Sequence, residues 1–291
     1  MVLTTLKQVS PLVSCEWLAE HLHDSGIKVL DASWYLPSDN RSAAMEHARC
    51  RIPGARFFDI DKIADLSNPL PHMLPPAEHF EITCSQLGIG ADHHVVIYDG
   101  KGIFSAPRAR WMFRVFGHRR VSILEGGLPR WQTLGLPTQT AKGMGPQTPT
   151  SRFIAQMQHQ SIADCADVVA ALADGNAQVV DARSHNRFVG AQPEPRAGLA
   201  CGHMPGAVNL PFANVLTDDG GFFLPKDALK KEFAKSGIDL TVPMVASCGS
   251  GITACIIALA AELLGQDRVA VYDGSWAEWG ADASLPVVKQ D

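Results

Sequence analysis

The sequence predicts an α/β fold built as two tandem domains, each a mostly parallel sheet with helices on both faces. Three observations lead to this prediction. The chain has 291 residues, which exceeds one ordinary domain of roughly 100–200 residues and suits two. Short apolar runs alternate with helical stretches, as is typical of parallel sheets that are covered on both sides. Finally, the second half repeats landmarks of the first.

The helical stretches follow from apolar periodicity and are separated by apolar runs of strand length. Periodicity predicts helices that include residues 15–23, 106–116, 162–172 and 253–264.

The repeat has a separation of about 150 residues, which fits a duplicated domain and is too long for a solenoid. In chain order, the matching segments are 29–33 (VLDAS) and 179–183 (VVDAR), 51–55 (RIPGA) and 203–207 (HMPGA), 95–99 (VVIYD) and 245–248 (VASC), and finally 125–127 (EGG) with Trp131 and 273–275 (DGS) with Trp279. Residues 137–151 are rich in Pro, Gly, Thr and Gln and lack periodicity. We therefore predict domains at 1–138 and 157–291, joined by a linker at 139–156, with a cleft between them.

Composition excludes several classes of partner. A net charge of -5 and a pI near 6.1 give no reason to expect nucleic acid or an anionic membrane. The N-terminal segment does not resemble a secretory signal, and no run reaches the ~18 apolar residues of a membrane span, so a cytoplasmic location is expected. The seven cysteines show no disulfide framework and no zinc spacing, and they are interpreted as reduced thiols.

Cys248 is the strongest candidate for a nucleophile. It opens a glycine-containing loop, 248–253 (CGSGIT), between an apolar run and a predicted helix. Backbone N–H groups of such a loop can surround a sulfur, and a helix N-terminus favours the thiolate. The alternative is an inert buried cysteine, which suits Cys255 better. At the matching position the first half carries Asp99, so the first domain is predicted to be catalytically silent.

These features together resemble the tandem rhodanese-like sulfurtransferases over nearly the whole chain. Within that family, the loop is similar to the 3-mercaptopyruvate version, whereas the thiosulfate version carries Arg and Lys at positions 249 and 250. This difference agrees with charge, because thiosulfate is a dianion and mercaptopyruvate has one carboxylate and a polarised ketone. The resemblance implies a Cys248 persulfide, with the loop residues Gly249, Gly251, Ile252 and Thr253 around its outer sulfur.

The resemblance also implies roles for residues outside the loop. Arg187 and Arg196 would hold the carboxylate and keto oxygens of the substrate. Asp61 and His72 would form a proton-handling triad with Ser250. From the residues alone, solvated loop arginines and a histidine that binds backbone remain alternatives, and Thr253 is equally well explained as a helix cap.

The predicted function is sulfur transfer from 3-mercaptopyruvate through a cysteine persulfide, with release of pyruvate. By the same resemblance, thioredoxin or a small thiol would accept the sulfur, cyanide would serve in the test tube, and no metal or organic cofactor is implied. A thiosulfate sulfurtransferase and a persulfide carrier without turnover remain alternatives. A cysteine phosphatase is disfavoured because it needs an Arg six positions after the Cys, where this chain has Ala254.

Overall fold

Two parallel sheets confirm the predicted α/β fold. The computed structural model describes residues 9–140 and 151–289. Within the first range, the strands are β1 (Leu12–Val13), β2 (Ile27–Asp31), β3 (Arg56–Phe57), β4 (His94–Tyr98) and β5 (Val121–Leu124). Within the second, they are β6 (Ile162–Ala163), β7 (Gln178–Asp181), β8 (Val208–Asn209), β9 (Met244–Ser247) and β10 (Val269–Tyr272).

The two sheets have the same topology. Their strand orders are β1-β5-β4-β2-β3 and β6-β10-β9-β7-β8. The register is also equivalent, since Asp31 pairs with Tyr98 in the first sheet and Asp181 pairs with Ser247 in the second. The residues after Tyr98 and Ser247 are Asp99 and Cys248, so the two loops that the repeat aligned in sequence occupy matching places in the fold.

Helices flank both sheets. Those of the first domain are α1 (Cys15–His21), α2 (Ala43–Arg49), α3 (Ile60–Ile63), α4 (Ala77–Gln86), α5 (Ala106–Val115) and α6 (Gly127–Thr133). Those of the second are α7 (Cys165–Asp174), α8 (His185–Phe188), α9 (Lys226–Lys235), α10 (Ala254–Leu263) and α11 (Ser275–Trp279). Short 3-10 helices lie at Pro37–Asp39, His159–Ser161 and Phe212–Val215.

The predicted start of the helix at 162–172 was wrong, because α7 begins at Cys165. Ile162 and Ala163 form the edge strand β6, which pairs with β10, and Asp164 then caps α7. The Asp164 side chain accepts a hydrogen bond from the Asp167 amide, and Asp167 accepts one from the Asp164 amide. This reciprocal capping box fixes the first turn of the helix three residues later than the apolar pattern suggests.

The domains meet through α5 and α10, which pack against each other. Both helices are buried on nearly every face, as expected for helices between two sheets. Their apolar side chains belong to one buried cluster that extends through both domains. A bidentate ion pair, with distances of 2.7 and 2.8 Å from Arg110 to Glu262, also joins them. The loops before α5 and α10 therefore lie close to the domain interface.

The predicted domain boundaries remain a prediction. Residues 141–150 of the expected linker, and residues 1–8 of the segment considered as a secretory signal, lie outside the described residues. Later linker residues lie on the first domain: Phe153 is buried, its amide donates to Ser85, and the amide of Gln156 donates to the carbonyl of Phe116. Within the two described ranges, no helix combines the length and apolar character needed to cross a bilayer.

Candidate active site

The Cys248 loop joins β9 to α10 and is anchored on the start of α11. Cys248 is 2% exposed. Its amide donates to the Ser275 hydroxyl at 3.2 Å, and its carbonyl accepts from the Trp276 amide at 3.0 Å. The carbonyl of Gly249 accepts from the Ala277 amide at 3.0 Å. These contacts fix the backbone of Cys248 and Gly249 against the start of α11.

Glycine is needed at two positions of the loop because atoms of other residues approach the backbone closely there. A Cβ at Gly249 would lie 2.8 Å from Nη2 of Arg187. A Cβ at Gly251 would lie 2.9 Å from Nη1 of Arg108 and from the carbonyl oxygen of Asp273, and Gly251 also has a φ of +76°. Small residues at both positions therefore let guanidinium groups reach the loop backbone directly.

The backbone amides of the loop are available to an anion. In the part of the chain that the structure describes, the N–H groups of residues 249–253 donate to no protein acceptor. Buried amides without a partner are rare in proteins because leaving them unpaired is costly. Unpaired donors in the loop before α10 suit an anionic sulfur on Cys248.

The matching loop of the first domain is already filled by its own carboxylate. Oδ2 of Asp99 accepts from the amides of Phe104, Ser105 and Ala106 at 2.8 to 2.9 Å, and Oδ1 accepts from the amide of Lys101 at 2.8 Å. The Asp99 side chain thus occupies the place that an anionic sulfur would take in the second domain. This self-filled loop is consistent with the prediction that the first domain is catalytically silent, which remains a prediction.

Arg187, on α8, is held beside the loop by a buried acid. Glu194 accepts from Nε and Nη2 of Arg187 at 3.2 and 2.5 Å, and it also accepts from Nη1 of Arg183 at 2.8 Å. Arg183 is in turn fixed by the carboxylate of Asp181. The Arg187 side chain keeps 21% exposure, and Glu194 holds the Nε and Nη2 donors of its guanidinium.

Arg196 approaches the same region from the other side. Its Nη2 lies 3.3 Å from Nε2 of His72. Burial lowers the pKa of the Arg196 guanidinium, whereas the nearby Cys248 sulfur and the Asp61 carboxylate oppose this shift. Because arginine starts from a very high pKa, it remains a cation at neutral pH. The arrangement brings a positive charge within electrostatic range of the Cys248 sulfur.

His72 and Asp61 lie together, as the sequence predicts. Nδ1 of His72 is 2.8 Å from Oδ1 of Asp61, a close polar contact that lacks the alignment of a hydrogen bond and would be an ion pair only if His72 were protonated. Oδ2 of Asp61 accepts from Nε1 of Trp34, whose ring meets the His72 ring edge-on. His72 also has a φ of 64°, a strained conformation for a side chain of this size, of the kind that clusters at functional sites.

The protonation states suit a proton acceptor. Burial lowers the pKa of His72 below 6.5, and the adjacent Asp61 only partly offsets this effect. Burial is the largest single influence on the pKa of Asp61 and acts to raise it. Interactions with His72, Trp34 and Arg196 together lower this pKa by more, so the net shift is downward. At neutral pH the site therefore holds a neutral imidazole beside an ionised carboxylate, which is the combination expected of a base with an orienting acid.

The other loop side chains are less engaged. Ser250 is 6% exposed, and among the described residues no hydrogen bond joins it to His72. Ile252 packs in the apolar cluster, so only its backbone faces the loop. Thr253 occupies the cap position of α10, but its side chain makes no capping hydrogen bond. The predicted triad is therefore joined at Asp61 and His72 and is open at Ser250.

Sequence reasoning missed Glu194 and Trp34. Glu194 lies between the two predicted arginines, and an acid in that segment was the one local signal that could have revealed it. Trp34 precedes its partner Asp61 by 27 residues, and no pattern in the sequence links the two. Both residues orient groups that the sequence did predict.

Comparison with known proteins agrees with this architecture. A family model described as "Rhodanese-like domain" matches residues 14–134 and 164–282. A rat protein named 3-mercaptopyruvate sulfurtransferase is 47% identical over 274 residues, which cover 92% of this chain and 91% of the relative. A rat protein named thiosulfate sulfurtransferase is 45% identical over 275 residues, with the same coverage of 92% and 91%.

A solved structure shares the fold over nearly its full length. The crystal structure of a 3-mercaptopyruvate sulfotransferase from Escherichia coli superposes with a TM-score of 0.83 at 38% identity. The match covers 92% of this chain and 99% of that protein. The similarity therefore extends over both domains.

Proposed function

This chain belongs to the rhodanese-like family, with one such domain in each half, and on that premise we propose that it is a 3-mercaptopyruvate sulfurtransferase. The observation that carries the choice of donor is the packing of Arg187 against Gly249, where a Cβ would lie only 2.8 Å from the guanidinium. A planar cation this close to the residue after Cys248 supports a role for Arg187 in holding the carboxylate of a small 2-oxo acid.

The reaction begins with attack of the Cys248 thiolate on the sulfur of 3-mercaptopyruvate. A sulfur–sulfur bond forms, the carbon–sulfur bond breaks, and its electron pair passes into the enolate of pyruvate. Arg187 and Arg196 stabilise the negative charge that develops on the enolate oxygen. Cys248 is left as a persulfide whose outer sulfur lies among the amides of residues 249–253.

Proton transfer accompanies these steps. The substrate thiol loses one proton, and the enolate carbon must gain one to give the methyl group of pyruvate. Neutral His72, oriented by Asp61, takes the proton and returns it, and Ser250 can relay it once the substrate is bound. The protons balance within the first half-reaction, so no external acid is required.

The second half-reaction transfers the outer sulfur to an acceptor, which makes the kinetics ping-pong. We propose a thiol acceptor, thioredoxin or a small thiol, with cyanide as a substitute in vitro. All cysteines of the chain are free, which supports a reducing compartment such as the cytoplasm. Cell fractionation that found the protein only in an oxidising compartment would contradict this location.

Thiosulfate is a second candidate donor, because a relative of similar identity is named for it. The test compares pyruvate release from 3-mercaptopyruvate with thiocyanate formation from thiosulfate, both with cyanide, in the wild type and in Cys248→Ser. We expect a strong preference for 3-mercaptopyruvate that disappears in the variant. A preference for thiosulfate would overturn the assigned donor, and turnover that survives in Cys248→Ser would overturn the assigned nucleophile.

A further inference from the structure

Arg108 is a fully buried cation that the first domain contributes to the domain interface. It lies in the first turns of α5 and has 0% exposure. Its guanidinium stacks on the ring of Trp111 at 4.4 Å, which fixes the plane of the group. A buried arginine is costly unless its donors are used, so the acceptors that it finds indicate what it does.

These acceptors lie on both sides of the candidate site. Nη2 of Arg108 donates to the carbonyl of His72 within the first domain. Nη1 donates to the carbonyl of Gly251, in the Cys248 loop of the second domain, at 3.4 Å. The same nitrogen lies 2.6 Å from Oδ1 of Asp273, as an ion pair rather than an aligned hydrogen bond. One side chain therefore touches both the His72 segment and the Cys248 loop.

Asp273 completes the connection from the second domain. Its Oδ2 accepts from the amide of Leu74 at 2.7 Å, two residues after His72. Asp273 directly follows β10 and precedes Ser275, whose hydroxyl accepts from the amide of Cys248. The segment that carries His72 is thus held at a carbonyl by Arg108 and at an amide by Asp273, and these two residues contact each other.

The backbone conformation of His72 shows that its segment needs to be held. His72 has a φ of 64°, in the region that residues with a side chain avoid, whereas Gly251 adopts its φ of 76° without strain. Strained residues persist only when their surroundings determine them from several directions. At each of these residues the carbonyl oxygen accepts from Arg108.

We infer that Arg108 and Asp273 form a latch across the domain interface, in which Arg108 is a positioning residue that keeps His72 over the Cys248 loop. The catalytically silent domain thereby takes part in the reaction, because it supplies both His72 and the side chain that fixes its place. This inference rests on the proposed function for its kinetic consequences, but the position of His72 is measurable without turnover.

The experiment compares Arg108→Gln with Glu262→Gln. The second variant breaks the other ion pair between α5 and α10, with Arg110, and serves as a matched control for loss of domain association. We expect Arg108→Gln to lower kcat/KM for 3-mercaptopyruvate about 10- to 100-fold, as for loss of a hydrogen bond to a charged group. The loss should fall mainly on kcat, whereas Glu262→Gln should stay within twofold of the wild type.

The pKa of His72, measured by NMR titration, reports both the burial of its imidazole and the charges that face it. The charged groups that face His72 are Asp61, Arg108 and Arg196. Burial is the largest influence that lowers this pKa, and the charge of Arg108 lowers it further. Arg108→Gln should therefore raise the pKa of His72, and Glu262→Gln should leave it unchanged.

Two milder variants keep the test valid if Arg108→Gln folds poorly. Arg108→Lys keeps the charge but cannot reach three acceptors, so its kcat/KM should fall between those of the wild type and Arg108→Gln. Asp273→Asn keeps an acceptor for the Leu74 amide but removes the charge partner of Arg108, and it should also lower kcat/KM.

Each outcome decides the inference. Equal losses of kcat/KM in Arg108→Gln and Glu262→Gln would mean that Arg108 acts only by holding the domains together, and this would overturn the inference. An unchanged His72 pKa in folded Arg108→Gln would also overturn it. If the wild type does not release pyruvate from 3-mercaptopyruvate, the proposed function fails. The His72 titration then decides the latch alone: Arg108→Lys keeps the charge but weakens the hold on the His72 carbonyl, so a raised His72 pKa in that variant supports the latch and an unchanged pKa rejects it.

Discussion

Replacement of Glu194 by Gln tests whether Arg187 needs its buried partner to serve the site. The Glu194 side chain is 2% exposed and accepts three hydrogen bonds, two from Arg187 and one from Arg183. A glutamine of the same shape keeps one oxygen acceptor, and its NH₂ group opposes the arginine donors. Arg187 thereby loses at least one charge-assisted contact that fixes its guanidinium beside Gly249.

The magnitude follows from these contacts. A hydrogen bond to a charged group contributes about 1.5–3 kcal/mol, so kcat/KM for 3-mercaptopyruvate should fall roughly 10- to 100-fold. Removing one partner from a buried charge network also costs about 3–5 kcal/mol of stability. Steady-state pyruvate release measures the first effect, and the urea midpoint measures the second.

A double-mutant cycle with Arg187→Ala gives the control. If Glu194 acts through Arg187, adding Glu194→Gln to Arg187→Ala should cause little further loss of kcat/KM. A kcat/KM within twofold of the wild type in folded Glu194→Gln would refute the reasoning. Full additivity of the two losses would show that Glu194 acts by another route.

Three further predictions follow from the glycine contact, the filled loop and the buried histidines. Gly249→Ala should raise KM for 3-mercaptopyruvate several-fold, because the new Cβ displaces the guanidinium of Arg187. The control Gly26→Ala places its Cβ where no atom lies within 4 Å and should leave KM unchanged. Equal KM values in the two variants would contradict this prediction. Asp99→Ala leaves four amides of the first domain without their acceptor and should cost about 3 kcal/mol in urea unfolding, with pyruvate release per folded chain unchanged; an unchanged midpoint would contradict it. Burial lowers the pKa of His94 and of His118 to about 4. Between pH 6.5 and pH 4 the unfolded chain therefore binds more protons than the folded protein, and each of these two histidines should lower the free energy of unfolding by about 1.4 kcal/mol for every pH unit of acidification. His94→Gln should make this pH dependence shallower.

The fold was predictable because its signals are local and repeated. Apolar runs, helical periodicity and matching landmarks in both halves define two parallel sheets, and the structure has two with the same strand order. The error at 162–172 arose where an edge strand of two residues, Ile162–Ala163, is too short to show a period. The reciprocal pair Asp164 and Asp167 is the signal that would have separated this strand from α7.

The site was predictable only in part. Cys248 could be located because strand, glycine loop and helix adjoin in sequence, and the structure places it in that setting. His72 and Asp61 were identified through the family resemblance, and they lie together. Arg108 gave no signal, because its acceptors at His72 and Gly251 are 36 and 143 residues away. A contact of that kind is specified by packing between domains, which sequence periodicity does not encode.

The most direct test of the central claim is a single-turnover experiment without a sulfur acceptor. The wild type is mixed with excess 3-mercaptopyruvate, pyruvate is followed in time, and the protein is then digested for mass spectrometry. We expect a burst of one pyruvate per chain and a gain of one sulfur atom on the peptide that contains Cys248, reversed by cyanide. A burst without added sulfur, or sulfur on a different cysteine, would contradict the assignment of Cys248 as the persulfide-forming nucleophile.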